Sequence, residues 1–228
     1  MIKMAAGTFD FGTVANRYDK WYETAQGTVY DRIEKHAVGR TLPDIRHGNQ
    51  MLEIGCGTGH WSRFFSERGF RVTGIDISPE MVNVARSKGI ENASFYVADA
   101  TSLPFPDDSF DIAVAVTVLE FVAEPDRMLH EMARCVRHGG RLVIGALNRH
   151  SILGIQRRAR PSELFSSAKM FTRSELYELL SDVGRATVRT VAFVVPWRWL
   201  LWTAPVLDLI GRGAHLPWGD FMVGEVRI

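Results

Sequence analysis

The sequence predicts an α/β fold with a doubly wound, mostly parallel sheet. Three observations carry that expectation. Short β-branched apolar runs recur between residues 50 and 146, capped helical segments separate them, and a glycine-rich turn follows the first run. At 228 residues, with 46% apolar and 23% charged side chains, a single domain spanning 1–228 with a sizeable core is the simplest expectation.

Taken in order, residues 13–40 read as an amphipathic helical segment rich in Tyr, Trp and Arg. The runs Gln50–Ile54, Arg71–Ile75, Ser94–Ala98, Asp111–Val116 and Arg141–Ala146 are short and apolar, as buried strands are. Ser78 is placed to cap a helix whose first residue is Pro79 and which Lys88-Gly89 ends. A second helix is expected to start at Pro125 and bury Leu129, Met132, Ala133 and Val136. Arg134, Arg137 and His138 would form its last turn, with Gly139-Gly140 as the stop. Arg185–Val194 and Phe221–Ile228 are the candidates for the last two strands.

Composition narrows the partners. The 27 basic residues nearly balance the 26 acidic ones, so nothing electrostatic points to nucleic acid. Cys56 and Cys135 are the only cysteines and lie in no ligand-like spacing, so neither a disulfide framework nor a metal site is expected. Met1 to Gly12 lacks a basic-then-apolar leader, and no segment reads as transmembrane, which makes a cytoplasmic location the expectation. A monomer or a homodimer fits equally well.

The chemistry concentrates in Glu53-Ile54-Gly55-Cys56-Gly57-Thr58-Gly59. Glycines let a chain turn sharply and approach a ligand without Cβ interference, and the following helix points its free N–H groups the same way. The spacing is G-x-G-x-G after an acid, not the G-x-G-x-x-G expected for a pyrophosphate. Asp76 ends the second strand, where an acid can accept both hydroxyls of a ribose. Asp99 ends the third, where a carboxylate can receive an adenine amino group. Three acids at successive strand ends suit a cationic, adenosine-bearing ligand, because they would repel one carrying two phosphates. The competing reading of each acid is a turn carboxylate bonding local N–H groups.

The ordered set LEIGCGTGH, GIDIS, ADATSLPFPDDSFD and HGGRLVIGALN resembles the class I S-adenosylmethionine-dependent methyltransferases, the type 11 or UbiE-like group in particular, over residues 50–147. The resemblance implies a Rossmann-like seven-stranded sheet with its last strand antiparallel. It implies S-adenosyl-L-methionine as cofactor, with Gly55, Cys56 and Gly57 against the methionine moiety and Glu53 serving its ammonium. Asp76 would hold the ribose, Ile77 and Met81 would pack at the adenine, Asp99 and Ala100 would read its edge, and Thr117 would complete the contacts. The stretch Thr117-Val118-Leu119-Glu120-Phe121 occupies the place of the family's VLHH-like segment. Phe121 replaces the frequent histidine, leaving Glu120 as the nearest candidate for proton transfer, against a structural role for it at a helix start.

Asn16–Tyr22 resembles the family's leading helix, with Tyr18 the residue expected nearest the cofactor and a second catalytic candidate. An aromatic ring there would also favour a sulfonium. Trp21, Tyr22, His60 and Trp61 are expected to serve packing. Residues 148–170 and 195–219 read as inserts near the acceptor. The first holds Arg149, Arg157, Arg158 and Arg160, a solvated basic face or an anion site. The second holds the Trp-rich run Pro196–Ile210, read as a pocket wall or ordinary core, a dimer contact or a membrane-surface element. The function expected is methyl transfer to a small-molecule or lipid-like acceptor. The alternatives are a non-catalytic binder of S-adenosylmethionine and a nicotinamide-dependent oxidoreductase.

Overall fold

The computed structural model describes residues 10–43, 49–159, 162–194, 198–214 and 216–228. Seven strands form one sheet in the order β3-β2-β1-β4-β5-β7-β6. They are β1 Gln50–Ile54, β2 Arg71–Asp76, β3 Ala93–Val97, β4 Phe110–Val116, β5 Val136–Leu147, β6 Arg185–Val191 and β7 Phe221–Arg227. The pairs β1–β2, β2–β3, β1–β4 and β4–β5 are parallel, and β7 runs antiparallel to both its neighbours. The order reverses between β1 and β4, and in such sheets ligands bind at that switch point, beyond the strand carboxyl ends.

Strand alternation supplies two core faces. Leu52, Ile54, Ala113, Ala115, Leu142 and Ile144 point to one side. There they meet Met128, Leu129 and Met132 of α4 (Pro125–Cys135) and Leu176 and Leu180 of α7 (Arg173–Ser181). Met51, Ile112, Val114 and Val143 point to the other. There they meet Tyr30 and Val38 of α1 (Ala25–Gly39) and Phe64 and Phe65 of α2 (His60–Ser66). Each such side chain is worth about 1.5–3 kcal/mol when fully buried. A smaller cluster of Cys56, Val82, Ala85, Ile90 and Phe95 seats α3 (Pro79–Ser87) beside β2 and β3.

Ser78 caps α3 as expected, accepting from Met81 N at 3.3 Å. Two expected boundaries move. The helix from Pro125 stops at Cys135, and Val136 to Gly140 belong to β5. Val136 is buried, as its helical stripe demanded, but it pairs with Phe110 across a bulge in the β4–β5 ladder. Gly139 does adopt a left-handed φ of +82°, yet its N–H donates to Ile228 O within the sheet, so it terminates no helix. The sixth strand ends at Val191 because Ala192 turns to φ +61°. The N–H groups of Ala192 and Phe193 both donate to the buried Asp208 of α8 (Ala204–Gly213), at 2.7 and 3.4 Å. The N-terminal segment divides too: a 3-10 helix covers Phe11–Trp21, and Thr24 caps α1 by accepting from Gly27 N.

Cys56 and Cys135 are buried and free. Among the described residues no helix is long and apolar enough to cross a membrane. The described residues also form two shorter α-helices, α5 (Ile152–Ala159) and α6 (Glu163–Ser166), and 3-10 turns at Leu119–Phe121 and Arg198–Thr203.

Candidate functional site

A cavity of about 400 Å³ opens at the carboxyl ends of β1, β2, β3 and β4, within the size range of small-molecule sites. Gly55, Cys56 and Gly57 line it, as do Asp76, Ile77, Met81, Asp99, Ala100 and Thr117. Tyr18 of the 3-10 helix closes one wall.

Left-handed backbone shapes the loop after β1. Gly55 has φ +64°, and a Cβ there would lie 2.3 Å from Val118 Cγ2, so only glycine fits. Gly57 has φ +52°, and a Cβ on it would meet nothing within 4 Å, so the backbone stands bare against the open cavity. Asp76 ties this loop to the next helix: Oδ2 accepts from Gly57 N and Oδ1 from Ser78 N, both at 2.9 Å. Burial raises its carboxyl above the usual range, and these N–H groups oppose that rise. A carboxylate offers about four lone-pair sites, so Asp76 retains capacity for hydroxyl donors. Asp99 uses Oδ1 for Thr101 N and Oγ1, both at 2.8 Å. Its Oδ2 has no hydrogen-bond partner among the described residues and remains available on the cavity wall. Thr117 holds a strained φ of +52° where β4 enters the site.

The 3-10 helix is pinned over the loop. Asp19 accepts from Thr58 Oγ1 at 2.6 Å and from Lys88 Nζ at 2.5 Å, joining the helix to the glycine loop and to the end of α3. These partners hold the Asp19 carboxyl below the usual range against the desolvation that opposes them. Tyr22 stacks on His60 with ring centroids 3.6 Å apart, and His60 Nε2 lies 2.7 Å from Asp31 Oδ1 of α1. Phe11 meets Phe121 edge-on at 5.0 Å, closing the far side. Burial pushes the Tyr18 phenol up to about 12, so it keeps its proton near neutral pH.

Two expected site residues stand elsewhere. Glu53 is 3% exposed and absent from the cavity wall; Ser62 Oγ donates to its Oε2 at 2.5 Å, and burial pushes it up to about 8. Glu120 is 1% exposed and also off the wall, its Oε1 accepting from Leu147 N at 2.5 Å. Both carboxyls are turned into the protein because a backbone or hydroxyl donor waits there. Conversely, Tyr22, His60 and Trp61, expected to serve packing, do line the cavity, together with Phe11, Thr58 and Phe121. The resemblance had already put Tyr22 in the leading helix and Phe121 in the segment after β4, and Thr58, His60 and Trp61 sit in or just past the glycine loop, whereas Phe11 carried no such signal. Arg149 pairs with Glu175 and Arg157 with Asp220, so neither is a free anion site; Arg160, Pro196 and Trp197 lie outside the described residues.

A doubly wound sheet with its switch point beside a bare glycine loop, and with acids ending β2 and following β3, defines a nucleoside-binding α/β enzyme. Comparison with known proteins narrows the class. Residues 52–144 match the methyltransferase-domain family Methyltransf_11. An uncharacterized protein of Methanocaldococcus jannaschii is 32% identical over 181 residues, covering 78% of this chain and 82% of that protein. A phosphatidylethanolamine N-methyltransferase of Cereibacter sphaeroides is 37% identical over 143 residues, covering 59% and 68%. Among solved structures, a SAM-dependent methyltransferase of Thermotoga maritima, described as a possible histamine N-methyltransferase, superposes with a TM-score of 0.74. It is 26% identical and covers 95% of this chain and 97% of its own. The chain belongs to the class I S-adenosylmethionine-dependent methyltransferases, in the type 11 group. It is therefore an enzyme whose cofactor is S-adenosylmethionine, and the readings as a nicotinamide oxidoreductase or a non-catalytic binder fall away. The residues fit that group: an open cavity against bare Gly57, and a spare carboxylate oxygen on Asp99.

Proposed function

We propose that the enzyme transfers a methyl group to a small-molecule or lipid-like acceptor. The observation that carries this is the lidded cavity, whose far wall of Phe11, Phe121 and Val122 is apolar. In the proposed arrangement Gly55, Cys56 and Gly57 lie along the methionine part of the cofactor and Asp76 takes the ribose hydroxyls. Ile77 and Met81 pack at the adenine, Asp99 Oδ2 and the Ala100 backbone read its edge, and Thr117 completes the wall. Glu53 supports the loop through Ser62 rather than touching the cofactor. Tyr18 acts through its ring and its protonated hydroxyl, not as a base.

The cofactor supplies an electrophilic methyl group on a sulfonium. The protein's own work is alignment and exclusion of water, which the 3-10 helix and the Phe11–Phe121 contact perform. The test is a panel of small and lipid-like acceptors with the full chain, read by release of S-adenosylhomocysteine. Turnover with any of them supports the reading; no turnover, with no calorimetric binding of S-adenosylhomocysteine, sinks it.

Lipid-like acceptors gain support from the surface. Exposed large apolar side chains gather on α5 and around α8: Ile152, Ile155, Trp202, Val206, Leu209, Ile210 and Trp218. Leu147 pairs with Phe221 and Val191 with Phe221, so both segments leave the sheet at the cavity end. Tryptophan beside aliphatic side chains favours a membrane interface. The full chain should co-sediment with phosphatidylglycerol vesicles, and Trp202→Ser with Leu209→Ser should cut the bound fraction several-fold. Equal sedimentation of the double variant would end the membrane reading, and a dimer lost in that variant would assign the face to a second copy.

A further inference from the structure

Where the cavity wall carries charge it is mostly acidic. Asp76, Asp99 and Glu124 line it, and among the described residues His60 is the one basic side chain that does. S-adenosylmethionine brings a sulfonium and an ammonium, which those acids suit. It also brings an α-carboxylate, which they repel. His60 directly follows Gly59 as the first residue of α2, at the end of the loop proposed above to run along the methionine part. The carboxylate therefore has one basic side chain on this wall to meet.

Three residues of the N-terminal segment hold the imidazole in place. Tyr22, at the end of the 3-10 helix, stacks on one face with ring centroids 3.6 Å and planes 9° apart. Asp31 Oδ1 of α1 lies 2.7 Å from Nε2. Lys35 Nζ, one turn further along α1, lies 2.9 Å from the same nitrogen and 2.9 Å from Asp31 Oδ2. Lys35 is itself seated over the Trp61 ring, 5.8 Å from its centroid. Against the desolvation that raises it, the His60 and Lys35 hydrogen bonds hold the Asp31 carboxyl below its usual range. His60 Nδ1, by contrast, has no hydrogen-bond partner among the described residues and is not sealed inside the protein.

Nε2 sits between an ammonium and a carboxylate, and its proton depends on which of them it answers. Accepting from Lys35 puts the ring proton on Nδ1. In the imidazolium, Nε2 donates to Asp31 and Nδ1 donates outward. The third form, with Nε2–H and a bare Nδ1 lone pair, would set lone pair against lone pair once a carboxylate arrived. A bound carboxylate thus selects a ring with hydrogen on Nδ1. We propose that His60 Nδ1 donates to the α-carboxylate of the cofactor, with Tyr22, Asp31 and Lys35 positioning the ring. This rests on the reading above that the glycine loop lies along the methionine part.

Calorimetry on the full chain tests this without turnover. The probes are S-adenosylhomocysteine and its decarboxylated form, which keeps the adenosine, the sulfur and the amine. The parent should bind the first about tenfold more tightly than the second. His60→Phe keeps a flat ring against Tyr22 but has no N–H. It should weaken S-adenosylhomocysteine by about tenfold and leave the decarboxylated ligand unchanged, abolishing the preference. His60→Asn places an amide donor where Nδ1 stands and should keep part of the preference. His60→Gln reaches only the place of Nε2 and should keep none. That pair carries the test if His60→Phe fails to fold in a thermal melt. Equal affinity of the parent for both ligands overturns the anchor, as does an unaltered preference in His60→Phe. Equal losses for both ligands in that variant overturn it too and make His60 a packing residue. Failure of the parent to bind either ligand would instead bring down the cofactor assignment, while the acceptor panel above reads the function separately.

Discussion

Asp76→Ala should weaken S-adenosylhomocysteine binding by about a hundredfold, roughly 3 kcal/mol, while the chain stays folded. The size follows from what is lost together. In the proposed site a carboxylate accepts two ribose hydroxyls, and charge-assisted hydrogen bonds are the strong ones. The same side chain fixes the ligand-facing backbone, because Gly57 N and Ser78 N both donate to it at 2.9 Å. Removing it therefore loosens the glycine loop as well. Both N–H groups lie beside an open cavity where water can replace the acceptor, so the fold should lose little. Asp76→Asn is the sharper companion: its amide keeps one acceptor oxygen but cannot accept from both N–H groups and the ribose. Affinity should fall between the parent and Asp76→Ala. Calorimetry with thermal melts reads both quantities, and unchanged affinity in Asp76→Ala would remove the ribose assignment.

The largest expected effect on stability comes from Glu53. Its carboxyl is pushed up to about 8 by burial, with the Asp76 charge adding to the rise and the Ser62 hydroxyl opposing it. An unfolded glutamate titrates near 4.5. Between these values the folded chain keeps a proton that the unfolded chain has released. Stability is then fully present below pH about 4.5 and falls as pH rises towards 8, by up to about 1.4 kcal/mol per pH unit for one such group. Glu34, also pushed up to about 8, and Glu120, up to about 7, act in the same direction. Urea unfolding at pH 5.5 and 7.5 should show the parent less stable at the higher pH. Glu53→Gln, which is neutral throughout, should lose part of that slope and gain on the parent at pH 7.5. A slope identical to the parent's would mean that Glu53 is ionised in the folded protein.

The Pro125 helix shows why some boundaries were not legible in the chain alone. Its apolar stripe continued through Val136 with helical spacing, and Gly139-Gly140 had the look of a stop. A buried valine satisfies a helix and a strand equally, so the stripe could not choose. Pairing with Phe110 chose the strand, and that contact is non-local. The same applies to Ala192, whose left-handed turn is held by Asp208 from a helix sixteen residues later.

For the site the division is similar. Gly55, Gly57, Asp76 and Asp99 were readable because each sits where a strand ends, and strand ends in this topology converge on one place. Tyr22, His60 and Phe11 were not, because their place on the wall depends on how the 3-10 helix lies across the loop, set by Asp19 meeting Thr58 and Lys88. Glu53, near the end of β1, and Glu120, in the turn after β4, lie off the cavity wall, because side-chain direction is decided by the nearest donor, and Ser62 Oγ and Leu147 N lie inward.

The sequence by itself determined the run of strands, the glycine loop and the acids ending β2 and following β3, consequences of local pattern and short spacing, while its ordered motifs carried the resemblance that implied the antiparallel last strand and the cofactor. The tertiary structure decided which carboxyls face the cavity and which are enclosed. It also left the Tyr30 hydroxyl and Glu120 Oε2 enclosed without a hydrogen-bond partner among the described residues. Burial and the absence of a partner are properties of the packed chain, and no window of sequence contains them.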